Sequence, residues 1–287
     1  MNFALEEKFM KEKKILLVSD FVGVGKVALS MMIPILNTME ANVSYLPTSV
    51  ISNNFDYGEA FVEELTDFMS SSKDMWEKLD FQFDIISTGI IMNTEQVDIV
   101  KEIIQYHDRK PLIISDPIMG DDGELYPGLS KDLIEASRLM ALEADIIVPN
   151  FTEFSLIVGK EYLDPDKLGH SQLVAWLDKA RGRGVKSAII TSVHIGDEYY
   201  VYGYSQNEDI FRVKIDYIPI KIGGTGDIFT SLVIGKYVEE SNLQRSVEYA
   251  TQALTNIIRK EYEKGIDKDG VNEIKIQNHL QDIYKSL

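Results

Sequence analysis

The chain of 287 residues contains no cysteine. Disulfides, thiolate metal centres and cysteine nucleophiles are therefore excluded. Basic residues are scarce: 29 lysines and arginines stand against 46 aspartates and glutamates, a net charge of −17. A field of that sign repels nucleic acid and anionic membrane surfaces. An anionic ligand would need local help from backbone dipoles, cations or a few lysines. Histidine occurs only at His107, His170, His194 and His279. None has metal-ligand spacing or a triad partner nearby, so each reads as a surface or strand-end residue. No apolar run approaches the roughly 20 residues of a membrane-spanning helix. The opening stretch MNFALEEKFMKEKK lacks an apolar signal core, so residues 1–13 read as a short helix or loose leader and the protein as cytoplasmic. Repeats, low-complexity tracts and linkers are also missing. The expectation is one α/β domain over residues 1–287.

Apolar residues make up 45% of the chain, enough for a sizeable core. Short β-rich runs alternate with helical patterns. KILLVSD (14–20), ANVSYLP (41–47), DIIST (84–88), PLIISDP (111–117), ADIIVPN (144–150) and KSAIITS (186–192) read as six strands. Most are apolar throughout rather than alternating, as in strands covered by helices on both faces. Residues 25–40 read as a helix kinked at Pro34. A second helix is signalled by Asn93 and Gln96 in a capping-box pattern, followed by Val97, Val100 and Ile104 on one face. EYYVYGYS and IFRVKIDYI suggest an antiparallel hairpin on an edge, and helices after Gly226 and near 243–262 close the chain. Strands alternating with helices imply right-handed crossovers and a mostly parallel sheet. In such sheets ligands sit beyond the carboxyl ends of the strands. Ser19, Asp20, Thr48, Thr88, Asp116, Asn150 and Thr191 all fall at or just past a predicted strand end. Singly, each is an ordinary polar loop residue; together they outline one site.

Two motifs mislead. GVGKVA (23–28) satisfies the first half of a dinucleotide fingerprint, but the second strand ends YLPTSV, with no acid for a ribose hydroxyl. It also imitates the end of a phosphate-binding loop. Asp20 stands where that motif needs glycine, and Val27 where it needs serine or threonine. A tight turn that brings backbone close to a small ligand is the remaining reading.

KIGGTGDIFTSLVIG (221–235) sets glycines and Asp227 against the start of an apolar helix. Two readings stand here. One is an ordinary helix cap. The other is an anion cradle of bare amides with a carboxylate base in the same turn. DPIMGDDGELY (116–126) and PNFTEFSLIVG (149–159) add Asp116, Asp121, Tyr126, Asn150 and Glu153. Hard oxygen ligands of this kind suit Mg²⁺, which binds nucleotide phosphates while keeping several waters. Asn150 and Glu153 equally make a capping box.

The order D-P-x-M-G-D…L-Y, P-N-x-x-E, T-S, G-G-T-G-D resembles the ribokinase-like superfamily. SDFVGVGKVALSMMIPIL and LPTSVISNNFDYG narrow the resemblance to the pyridoxal and pyridoxamine (vitamin B6) kinases, over about residues 14 to 258. The resemblance implies a central sheet flanked by helices and ATP-dependent phosphorylation of a vitamer 5′-hydroxyl. Asp227 would be the general base, with Gly224, Thr225 and Gly226 as the anion hole. Asp116, Asn150 and Glu153 would bind Mg²⁺ through water, with Asp116 and Glu153 nearest the metal. Asp121, Tyr126 and Thr191 would line the ATP side, and Ser19, Asp20 and Thr48 would face the pyridine ring. It also implies a homodimer and leaves dependence on K⁺ open. There are departures. Asn54 stands where relatives often carry histidine, Ile90 where many carry tyrosine, and GKVALS where many carry G-R-C-S-L-T. These surround the vitamin pocket, so the acceptor has alternatives: hydroxymethylpyrimidine or another small alcohol, or a B6-binding protein without catalysis. A carboxylate at Asp20 would favour a protonated group, either the ring nitrogen or an aminomethyl group; a solvated strand-end aspartate is the other reading.

Overall fold

The computed structural model describes residues 13–126, 131–164, 166–206, 208–265 and 273–287. The leader expected over 1–13 lies outside these, Lys13 excepted. The chain runs β1 (Lys14–Val24), α1 (Leu29–Thr38), β2 (Asn42–Asn53), β3 (Val62–Glu64), α2 (Thr66–Lys78), β4 (Ile85–Thr88), α3 (Thr94–Tyr106) and β5 (Leu112–Ser115). It continues through β6 (Gly120–Asp121), β7 (Glu124–Leu125), α4 (Lys131–Glu143), β8 (Ile146–Ile147), α5 (Phe151–Val158) and α6 (His170–Gly182). It ends with β9 (Ala188–Ile195), β10 (Glu198–Tyr204), β11 (Phe211–Ile215), α7 (Thr225–Glu240), α8 (Leu243–Glu263) and α9 (Leu280–Ser286).

Among the described residues nine strands form one sheet in the order β11-β10-β9-β8-β5-β4-β1-β2-β3. The six from β9 to β2 are mutually parallel, and antiparallel strands close both edges. The apolar character of the strands has a direct cause. Along β1, Leu16 and Val18 enter one core while Ile15 and Leu17 enter the other. Ile113 and Ile114, and Ile189 and Ile190, split in the same way. Successive side chains on a strand point to opposite faces, and here helices cover both. Helices α3 to α6 pack on one face; α1, α7 and α8 pack on the other. Seven consecutive residues of α7, Ile228–Ile234, are buried, so this helix is enclosed on every side. Among the described residues no helix is long and apolar enough to cross a membrane.

Several expectations change in detail. The helix expected over 25–40 begins only at Leu29, because Gly25 (φ 89°) and Ala28 (φ 49°) take left-handed backbone. Pro34 lies inside it. Strand β2 runs on to Asn53 and pairs with β3 at an edge that sequence alone did not suggest. The Asn93 cap forms, but Gln96 reaches one residue further back, to the Met92 amide at 2.9 Å. Two histidines are not surface residues. His107 is buried at the end of α3, where Nε2 accepts from the Phe83 amide at 2.9 Å. His279 is buried against Glu261. Both answer buried polar groups on distant segments, which local sequence does not reveal.

Candidate active site

The carboxyl ends of the parallel strands open into a cleft of about 830 Å³. The start of α7 forms part of its wall. Gly224 takes left-handed backbone (φ 79°), so that the chain turns sharply into the helix. A side chain there would press within 3.0 Å of the Lys26 carbonyl oxygen. At Gly226, by contrast, an added Cβ would meet nothing within 4 Å. Thr225, Gly226 and Asp227 make the first helical turn, whose amides have no partner within the helix and present a partial positive charge.

Asp227 is tied across 199 residues to the other glycine turn: the Ala28 amide donates to Oδ2 at 2.8 Å. The GVGKVA turn therefore brings backbone close to a carboxylate of its own chain. The positive φ of Ala28 aims that amide. Burial pushes the Asp227 carboxyl up to about 8; the Ala28 amide opposes this, and the charges of Asp116 and Asp20 add to it.

Asp116 follows β5 and accepts from Thr230 Oγ1, one turn along α7, at 3.1 Å. Burial pushes it up to about 7. Glu153 is buried, and burial and then the charge of Asp116 hold its carboxyl well above the usual range. Its Oε2 accepts from the Asn150 amide at 2.8 Å and its Oε1 from the Met119 amide at 3.0 Å. Asn150 caps α5 and donates from Nδ2 to the Gly120 carbonyl at 2.7 Å. The capping box is thus real, and it also ties the loop after β5 to α5. Asp122 (φ 50°) and Gly123 (φ 84°) turn the β6–β7 hairpin. Asp-Gly between paired residues is a hairpin signal in the sequence. Among the described residues no three carboxylates or histidines gather closely enough to hold a metal ion directly. Asp116 and Glu153 offer hard oxygen donors, the kind of group a hydrated Mg²⁺ ion accepts.

Most candidates share this one cleft. Asp20, Asn54, Asp116, Asp121, Tyr126 and Asn150 line it, as do Glu153, Thr191 and the turn 224–227. Ser19 and Thr48 do not. They are buried beneath it, where Ser19 Oγ donates to Asp20 Oδ1 at 3.1 Å and Thr48 Oγ1 to the Ile90 carbonyl at 2.8 Å. Strands pleat, so adjacent strand-end positions cannot all face the same space. Asn54 and Ile90, two of the three departures named above, are both on the wall. The structure adds a column that sequence reasoning missed: His194, Tyr199 and Tyr217 stack with centroids 4.1 and 3.9 Å apart along the cleft. Tyr200, Tyr202 and Tyr204, the aromatics at period 2 on β10, are buried, and no local pattern announces the cross-strand stacking of Tyr199.

The model of the phosphomethylpyrimidine kinase family matches residues 47–272. The chain belongs to this family. A protein from Bacteroides thetaiotaomicron, provisionally named a phosphomethylpyrimidine kinase and crystallised with pyridoxal, is 33% identical with a TM-score of 0.87; the match covers 95% of this chain and 96% of that one. The pyridoxal kinase of Arabidopsis thaliana is 29% identical over 61% of this chain and 58% of its own length. The Leishmania donovani pyridoxal kinase, solved with ADP and pyridoxamine, shares the fold at 21% identity, with a TM-score of 0.83 over 95% of this chain and 96% of that one.

Proposed function

We propose that this chain transfers the γ-phosphoryl group of ATP to the 5′-hydroxyl of a vitamin B6 vitamer. One observation carries the reading: Asp227 stands in the same helical turn as the glycine amides, inside the cleft reached by the loops after β5 and β8. Phosphoryl transfer asks chiefly for positioning and charge neutralisation. The amides of Gly224, Thr225 and Gly226 stabilise charge developing on the transferred group. Asp227 takes the hydroxyl proton as the bond to phosphorus forms. A carboxyl pushed up to about 8 by burial is matched to base catalysis near neutral pH.

The cleft is strongly anionic. Among the described residues lining it Lys221 is the one lysine, paired with Asp122 at 3.7 Å, and arginine is absent. A triphosphate entering such a field needs a divalent cation. Asp116 and Glu153 would hold Mg²⁺ through water, and the ion would supply charge neutralisation at the phosphates. Tyr126, Asp121 and Thr191 lie on the side assigned to the nucleotide. The same reading makes the working form a cytoplasmic homodimer.

The test is ADP release with pyridoxal, pyridoxamine, pyridoxine and hydroxymethylpyrimidine, each with Mg²⁺ and with K⁺ or Na⁺. Turnover with a B6 vitamer at least tenfold above hydroxymethylpyrimidine is expected. The reverse order moves the acceptor to the pyrimidine, and vitamer binding without ADP release makes the chain a non-catalytic B6 binder.

A further inference from the structure

Phosphoryl transfer gives work to Asp116, Glu153 and Asp227 but none to Asp20, a carboxylate 2% exposed that nevertheless lines the cleft. Its position is built. In the pairing of β1 with β2, Ser19 faces Pro47 and Phe21 faces Val50, so Asp20 stands alone against Thr48 and Ser49. Such a bulge re-aims a side chain. Both sides of the bulge are clamped. Thr48 donates to the Ile90 carbonyl at 2.8 Å, and its own carbonyl accepts from Gln96 Nε2 at 2.9 Å. Ser19, which holds Asp20 Oδ1, is packed so tightly on Gly89 that a Cβ there would come within 2.2 Å of its Oγ. Among the described residues no lysine, arginine or histidine pairs with Asp20. A buried carboxylate held rigid with no cationic partner is costly, and burial already pushes this one up to about 6. Asp20 lies on β1 and Asp227 is held by the Ala28 amide just past the end of that strand, so both acids line the same cleft.

We propose that Asp20 is a specificity residue that takes an ammonium group on the acceptor, so that the enzyme selects the amine-bearing vitamer, pyridoxamine, over the aldehyde and the alcohol. This rests on the B6-kinase reading above. The chemistry of the ring decides which group is read. The 4-substituent is ortho to the 5-hydroxymethyl arm, whereas the ring nitrogen is meta to it. With the 5′-hydroxyl delivered to Asp227, the neighbouring carboxylate meets the 4-substituent. An aliphatic ammonium is charged at neutral pH and brings three donors; the aldehyde brings none and the alcohol one.

The experiment compares the wild type with Asp20→Asn and Asp20→Ser, two variants so that one folded protein is secured, as checked by thermal melting. Initial ADP release is measured with pyridoxamine and pyridoxine, and binding of each without ATP by titration calorimetry. A charge-assisted hydrogen bond predicts a fall of roughly 10- to 100-fold in the pyridoxamine-to-pyridoxine ratio, both in kcat/KM and in affinity, whatever the change in pyridoxine alone. A pyridoxamine-to-pyridoxine ratio within threefold of wild type, in rate and in affinity, overturns the proposal. If the wild type binds vitamers but releases no ADP, the kinase reading fails and the binding ratio alone judges Asp20. If it binds neither vitamer, both fall.

Discussion

Replacing Asp227 by asparagine should separate catalysis from stability. The asparagine Oδ1 can still accept the Ala28 amide, now 2.8 Å from Oδ2, so the two turns stay joined. What disappears is the negative charge and the base. Turnover should fall by about 10²-fold or more, with the KM for ATP nearly unchanged. Stability should move the other way. Burial takes the carboxyl from 3.8 to about 8. At about 1.4 kcal/mol per tenfold change in proton affinity, keeping it ionised in the folded state costs up to ~6 kcal/mol above pH 8. Water entering the open cleft screens much of this, so a net gain of ~1–3 kcal/mol is expected, roughly 2–6 °C in Tm for a chain of this size. The pH dependence has a definite sign. The folded state binds this proton more tightly than the unfolded chain, so the wild-type contribution is fully present below about 3.8 and lost as pH rises through about 8. The Tm advantage of Asp227→Asn should therefore be larger at pH 8.5 than at pH 5.5. Calorimetry at the two pH values and a coupled ADP assay suffice. Turnover within tenfold of wild type removes Asp227 from the base role, and a Tm below wild type at pH 8.5 refutes the buried-charge argument.

Mg²⁺ should raise the melting temperature more at pH 8 than at pH 6, because protons compete for Asp116, which is pushed up to about 7, and for Glu153; equal shifts in a fluorimetric melt, before and after chelation, would count against these acids as metal-side groups. The glycines of the turn should behave oppositely. Gly224→Ala meets positive φ and the Lys26 carbonyl, so a loss of ~1–2 kcal/mol in a denaturant titration is expected. Gly226→Ala has room and sits in a helical turn, so stability should hold or rise by about 0.5 kcal/mol while kcat/KM for ATP falls, the methyl group filling the space meant for phosphate oxygens.

Much of the fold was legible because its signals are local. The six runs become the parallel strands, and both cores appear because adjacent residues on most of these runs are both apolar, as at Ile113 and Ile114. The caps at Asn93 and Asn150 act within three residues of themselves. The β2–β3 edge was not legible. Val62–Glu64 is a strand of three residues whose pairing, not its composition, makes it one.

The glycines before Asp227, the carboxylates and the strand-end polar residues are properties of the sequence, because backbone freedom and charge belong to residue type. Their division of labour is not. Ser19 and Asp20 are adjacent, yet one holds from below and the other lines the cleft, since a pleated strand with a bulge sends neighbours in different directions. Asp116 and Thr230 are 114 residues apart, and Ala28 and Asp227 are 199 apart. No local pattern encodes such pairs. They meet because the sheet sets β1 and β5 on either side of β4 and packs α1 and α7 together on one face. That same closure sets four acids in one cleft, two of them buried and two half-buried, and so raises their proton affinities, which composition alone leaves at ordinary values.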